Sequence, residues 1–378
     1  MKRLELYEPE RAYERLETWL ADHGFFPGTP GAPDGRVADL YLGYGLSAPI
    51  RRRYAPTPRE PCSLPLLRCV VRSGNYSATH DNDGSFRIGV WEPTWSAGEY
   101  AGAVEDVREA IGRGDVYQVN LAQHLEAPFA GDPRAVAARL RNALPQPKDG
   151  PLADDAWRVM QGDGWAIVSA SPELFLARRG RRVWTMPIKG TRPLGGTLEL
   201  RGSAKDAAEH VMIVDLERND LSRVCEPGSI RWPELMAARS LAGVEHMVST
   251  VEGTLRTDVG LAELLAATFP GGSITGAPKI AAVDLIAELE PVGRGASMGA
   301  VGRVYPNGDL ELALTIRTFA IADDRIHLWV GGGVVWDSDP LVEVEESLAK
   351  AAPLLAALDA PLRSGGTARP ARPARSRA

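Results

Sequence analysis

The chain has 378 residues, of which 44% are hydrophobic and 24% charged, with a formal net charge of −6. That balance excludes disordered and collagen-like classes and suits a globular protein able to bury a large core. The 18 residues from Pro361 onward hold five arginines and no acid, which leaves −11 on the preceding 360, and an acidic body argues against nucleic acid as a substrate. No apolar run approaches the roughly 18 residues of a membrane span, so a cytoplasmic protein is expected and no membrane partner. Cys62, Cys69 and Cys225 have neither the pairing nor the spacing of a disulfide framework or zinc site and are expected as buried thiols.

Residues 1–97 mix short strand-like runs (LPLLRCVVR, FRIGVW) with loops rich in Pro, Gly and Arg. From Glu99, Tyr100, Ala103, Val104, Val107 and Ile111 recur at helical spacing, and Gly112 and Gly114 stop the run. GDVYQVNLAQHL alternates like a strand, and WAIVSAS, LFLAR and RVWTM follow as further strands. A long helix is predicted from about Lys205, a second over Leu261 to Thr268 and a third opening at Ala277. GAVGRVYP, ELALTIRTFAI and IHLWVGGGVV return to strands, and a last helix runs from about Leu341 to Leu358. Adjacent strands on short turns with helices inserted in blocks predict an α+β enzyme on large antiparallel sheets rather than a Rossmann fold. Residues 1–97 are taken as a β-rich portion of the same fold, 98–360 as the functional region, and the Arg/Pro/Ala tail from 361 as disordered.

Several polar residues stand in unlikely places. At about 100 degrees per residue, Met212, Ile213 and Leu216 fall within about 60 degrees of Glu209, so this glutamate lies on an apolar face. A buried carboxylate needs an answering positive charge, either a core lysine or arginine or a bound cation. Glu343, Glu346 and Lys350 form a stripe of their own on the last helix, either solvated or turned toward a ligand. Upstream, Gly331, Gly332 and Gly333 are expected to interrupt a strand, where glycine lets an anion approach backbone N–H groups. Arg317, flanked on its strand face by Thr315 and Phe319, is either an exposed strand residue or a carboxylate clamp. Together these suggest a small dianion held by arginine and backbone, with magnesium on two glutamates, since an all-carboxylate set favours a hard ion.

Five segments, PIKGTRPLG, AEHVMIVDLERNDLSRV, FPGGSITGAPKIAAVDLIAELEP, TIRT and GGGVVWDSDP with its downstream E..E…K, resemble in order and spacing the motifs of the chorismate-utilising enzymes. The likeness covers about Ser96 to Leu358. It implies large antiparallel sheets packed as a sandwich with helices outside, the anthranilate synthase component I-like fold. It implies chorismate as substrate, with Glu209 and Glu346 holding Mg2+ and Glu343 beside them. Arg317, Gly331 to Gly333, Lys350 and the position of Ser297 would hold the substrate, with Gly190 and Thr191 lining its ring. Glu173 matches the general acid for the departing hydroxyl, and His246 the histidine near it.

Within the family, Lys189 between PI and GT resembles component I of aminodeoxychorismate synthase, whereas anthranilate synthases carry a small residue there. The resemblance implies that Lys189 attacks ring carbon two as hydroxyl leaves carbon four, and that ammonia then displaces it at carbon four. Covalent catalysis divides one difficult substitution into two. No glutaminase cysteine-histidine pattern is visible, so a separate glutamine amidotransferase partner is expected to supply ammonia. Family members usually place an aromatic where Ser297 stands and a tyrosine at Arg303, and Arg303 is expected to turn inward as compensation. Anthranilate synthase, isochorismate synthase and a non-catalytic chorismate-binding subunit are the alternatives.

Overall fold

The computed structural model describes residues 2–26, 35–53, 55–72, 84–144, 152, 158–193, 204–241 and 244–363, apart from the side chains of 190–193, 204–206, 240–241 and 244–245. The tail expected to be disordered lies, from residue 364 on, outside the described residues. Among the described residues the strands form two antiparallel sheets. The first sheet runs β1 (Lys2–Leu6), β3 (Leu67–Arg72), β2 (Val37–Leu42), β15 (Ala300–Val304), β16 (Leu310–Leu314), β9 (Leu174–Arg179), β10 (Arg182–Met186), β13 (Val244–Thr254) and β11 (Ile188–Pro193). A further strand, β12 (Arg231–Leu241), pairs with β13. The second sheet runs β14 (Gly276–Ala277), β6 (Gln118–Gly131), β18 (Arg325–Val334), β17 (Thr318–Ala322), β8 (Trp165–Ser169) and β7 (Val159–Gln161), and β4 (Phe86–Ile88) and β5 (Glu92–Pro93) add to β6. Because β2 pairs residue by residue with β15, the strands of residues 2–72 share the first sheet with the last third of the chain.

Period-two alternation turns one face of each sheet toward the other. Leu174, Ala177, Val301 and Ala313 of the first sheet meet Ile167, Ala320, Ala322 and Trp329 of the second in one buried cluster. Helices cover the outer faces: α1 (Ala12–Asp22), α2 (Ala97–Gly112), α3 (Pro133–Ala143), α4 (Ala204–Ser222), α5 (Leu261–Thr268), α6 (Lys279–Leu289) and α7 (Pro340–Ala357). The three cysteines are buried and free, as their spacing suggested.

Local chemistry sets the helices that matter for the site. Ser96 and Glu99 form a reciprocal capping box at the start of α2, whose Tyr100, Val104 and Val107 are buried. Asp339 accepts the N–H groups of Leu341 and Val342, and Pro340 opens α7, so Glu343 falls in its first turn. α7 then lies along β18 and against α2.

Three predicted elements differ. ELALTIRTFAI is two strands in two sheets: β16 ends at Leu314, β17 begins at Thr318, and Arg317 between them has φ of 49 degrees. A left-handed arginine cannot propagate a strand, so the chain crosses between sheets there. The glycine run does not interrupt its strand, since Gly331, Gly332 and Gly333 pair in unbroken register with Ala122, Leu121 and Asn120. The third predicted helix opens at Lys279 rather than Ala277, because Gly276 and Ala277 pair with β6 first.

Candidate active site

β11 lies against β13, and α4 packs across both. The register slips between Lys189 and Thr191, where two residues of β11 oppose one of β13, a bulge centred on Gly190. Bulges re-aim the neighbouring side chain, and Lys189 Nζ here donates to Glu209 Oε1 of α4 at 2.6 Å. Both side chains are 15% exposed. Gln118 Nε2, from β6 of the other sheet, donates to the same oxygen at 3.1 Å. Burial pushes the Glu209 carboxyl up, but the Lys189 charge and hydrogen bond, with Gln118 and Lys350, outweigh it and hold the group below its ordinary value.

The strand glycines close this cluster from the second sheet. A Cβ on Gly333 would stand 2.1 Å from Gln118 Nε2 and 2.8 Å from Glu209 Oε1, and one on Gly332 would stand 2.8 Å from Lys350 Nζ and 3.5 Å from Glu343 Oε2. Asn120 and Ala122 send their N–H groups to Thr275 O and Glu290 rather than to β18. Their partners Gly333 and Gly331 are therefore non-hydrogen-bonded pairs, with N–H and C=O facing the edge of β18. Pairing with β17 stops at Leu328, so among the described strands that edge is open at the glycines. Lys350 Nζ occupies part of it, donating to Gly331 O at 3.0 Å. Burial lowers the Lys350 ammonium value; Glu346 opposes this and Lys189 adds to it.

Glu343 is buried and accepts from Ser338 Oγ at 2.7 Å, whereas Glu346 is exposed. Glu173 is buried in the turn between β8 and β9 and accepts from Ser273 Oγ at 2.9 Å. Burial raises its carboxyl above the ordinary value, against Ser273, Lys189, the Ile188 N–H and Arg317. Glu173, Lys189 and Arg317 thus share one neighbourhood. The Arg317 backbone is held there by the Ala170 N–H at 3.0 Å. His246 is buried on β13 with its backbone in register with Thr191 of β11. The side chain of Thr191 lies outside what the structure describes.

Two expectations fare differently. Ser297 is buried and its hydroxyl donates to Thr315 O at 3.4 Å, a contact that shapes the turn before β15. Arg303 does not turn toward the cleft: its Nε donates to Asp39 Oδ1 at 3.0 Å across the β2–β15 pair. A buried carboxylate takes the guanidinium, because an unpaired buried charge costs several kcal/mol, of order 3–5. Gln118, Ser273 and Ser338 escaped the sequence reading. Gln118 shares the polar phase of QVNLAQHLE with Asn120, His124 and Glu126, so alternation alone predicts a solvated side chain, whereas it is fully buried.

Magnesium can be weighed against this donor set. Glu209, Glu343 and Glu346 offer hard carboxylate oxygens. They do not converge within ligand spacing, for the described residues that do converge are His124, Glu126 and His327. The oxygens near Gly332 and Gly333 instead face the ammonium groups of Lys189 and Lys350. The chemistry of the donors fits the ion, and holding it on Glu209 requires Lys189 to release that oxygen.

An antiparallel two-sheet protein with carboxylates, lysines and strand glycines gathered at one end of its sandwich is the class this geometry defines. Residues 60–356 match the family described as chorismate binding enzyme, and the chain belongs to that family. It is 37% identical over 314 residues to anthranilate synthase component 1 of Streptomyces coelicolor, covering 81% of this chain and 58% of that one. It is 39% identical over 268 residues to aminodeoxychorismate synthase component 1 of Klebsiella aerogenes, covering 69% and 58%. The chain thus spans less than two-thirds of the length of these relatives. The crystal structure of anthranilate synthase component I from Streptococcus pneumoniae superposes with a TM-score of 0.74 at 25% identity, over 89% of this chain and 84% of that one.

Proposed function

We propose that the protein aminates chorismate at carbon four, as component 1 of an aminodeoxychorismate synthase. Relatives with either synthase name lie at similar identity, so overall likeness does not choose between them. The observation that supports the choice is Lys189, which the Gly190 bulge aims at the carboxylate cluster, where an anthranilate-type chain is expected to carry a small residue. A cation fixed to a structural carboxylate alone would not need a strand bulge and three glycines around it.

In this reading Arg317 and the edge N–H groups of Gly331 and Gly333 take one substrate carboxylate, and Gly190 and Thr191 border the ring. Glu209 and Glu346, with Glu343 beside them, would hold Mg2+, which when bound would supply positive charge to balance the other substrate carboxylate. The Lys189 amine, its ammonium proton released to solvent, forms a bond to ring carbon two as the carbon-four hydroxyl leaves, and Glu173, whose carboxyl burial raises above its ordinary value, gives the proton that turns hydroxyl into water. His246 would steady that hydroxyl. Ammonia from a separate glutamine amidotransferase then bonds carbon four, the double bond shifts back, and the carbon-two bond to Lys189 breaks.

Incubation with chorismate, magnesium and an ammonium salt tests the proposal by product mass. Aminodeoxychorismate is the expected product. Anthranilate, isochorismate or unchanged chorismate would each overturn it.

A further inference from the structure

About 20 Å along β6 from Gln118, counted at about 3.3 Å per residue, three metal-ligating side chains meet on the inner face of the second sheet. His124 and Glu126 are two apart on β6, and His327 of β18 stands directly opposite Glu126, with Trp329 opposite His124. Strand periodicity therefore turns all of them to one side. Both imidazoles are buried, at 4% and 1% exposure, while Glu126 is partly open to solvent. We infer that His124 Nε2, His327 Nδ1 and Glu126 Oε2 form a site for a divalent transition ion of the zinc class, separate from the carboxylate cleft.

The spacing supports it. Ligand atoms about 2.0–2.2 Å from a tetrahedral zinc ion stand roughly 3.3 Å apart. Here His124 Nε2 and His327 Nδ1 are 3.1 Å apart, and His327 Nδ1 and Glu126 Oε2 are 3.7 Å apart. One ligand atom from each of His124, Glu126 and His327 lies within 4.8 Å of the others. Two imidazoles and one carboxylate are a borderline donor set, which suits zinc better than magnesium.

The surroundings orient the ligands. Thr94 Oγ1 stands 2.6 Å from His124 Nδ1, the partner that fixes a ligating histidine through its other nitrogen. Arg325 Nη2 holds Glu126 Oε1 at 2.8 Å and leaves Oε2 on the imidazole side. The Trp329 ring lies 4.7 Å from that of His124 and walls the site. Without the ion the rings, 5.3 Å apart at 17 degrees, share one hydrogen bond. The ion replaces that shared proton, which moves to His327 Nε2, so entry releases no net proton. Three protein ligands leave a fourth position for water on the open side of Glu126.

Cobalt(II) is the probe, because four-coordinate nitrogen-ligated cobalt absorbs intensely in the visible and octahedral cobalt on carboxylates does not. Chelator-stripped full-length protein is expected to take one equivalent with such a spectrum and to release it to zinc. The spectrum should vanish in His327→Phe and Glu126→Gln and persist in Glu346→Gln, which removes a carboxylate of the other cleft. Absence of the visible bands, their survival in Glu126→Gln, or their loss in Glu346→Gln would each overturn the assignment. Should His327→Phe fail to fold, Glu126→Gln at its partly exposed position decides.

Discussion

Two lysine–carboxylate pairs among the described residues differ in a way that separates structure from chemistry. Lys279, at the start of α6, donates to Asp220 Oδ2 at 2.5 Å, to Pro270 O at 2.6 Å and to Thr268 O at 3.0 Å, with exposures of 11% and 8% for the pair. All three of its N–H groups are engaged. Lys189 donates to Glu209 at 2.6 Å at the edge of a cleft, with both side chains 15% exposed. The acids respond in opposite directions. Burial holds the Asp220 carboxyl above its ordinary value in spite of Lys279, while Lys189, Gln118 and Lys350 together overcome burial and hold Glu209 below its own. A saturated, enclosed pair pins three segments together. A pair at a cleft edge can exchange partners.

Substitutions should break this contrast in a graded way. Lys189→Ala is expected to reduce amination on the order of 10³-fold or more, since removing a covalent nucleophile removes the path itself. Initial rates, with intact-mass spectra of wild type under turnover, check this; full activity in the variant and no adduct in the wild type would remove the nucleophile. Lys279→Met should cost about 3–5 kcal/mol of stability by leaving Asp220 buried without its cation. Urea unfolding reads that loss, and an unchanged midpoint would erase the distinction between the pairs.

The smallest effect lies in the pH dependence. Glu209 is depressed below its ordinary 4.5, so its contribution is complete above that pH and is lost as pH falls through the folded value. Asp220 is raised above its ordinary 3.8, so its contribution is complete below that pH and is lost as pH rises through the folded value. The stability gap between wild type and Glu209→Gln should therefore narrow on acidification, and the gap to Asp220→Asn should narrow on raising the pH. Unfolding midpoints across acidic to neutral pH sharpen the comparison, and slopes of the same sign would contradict it.

Much of the fold was legible because its signals are local. The helical spacing of Tyr100, Val104 and Val107 and the segment Leu261 to Thr268 each depend on neighbours within a few turns. The hairpin of β12 and β13 was not seen, since β13 is defined by partners drawn from β10, β11 and β12 rather than by strict alternation. The break at Arg317 was hidden for a related reason. Nothing in ELALTIRTFAI forbids one strand, and the crossing follows from which sheet each half pairs with.

By itself the sequence determined that Glu209 sits on an apolar helix face and that glycines 331 to 333 admit close approach, because both follow from periodicity and side-chain volume. Only the tertiary structure decided which charge answers Glu209, that Arg303 belongs to Asp39, and that His124, Glu126 and His327 converge. Ion pairs and ligand sets join residues tens to hundreds of positions apart, and the register of the sheets, which no local pattern encodes, brings them within bonding distance.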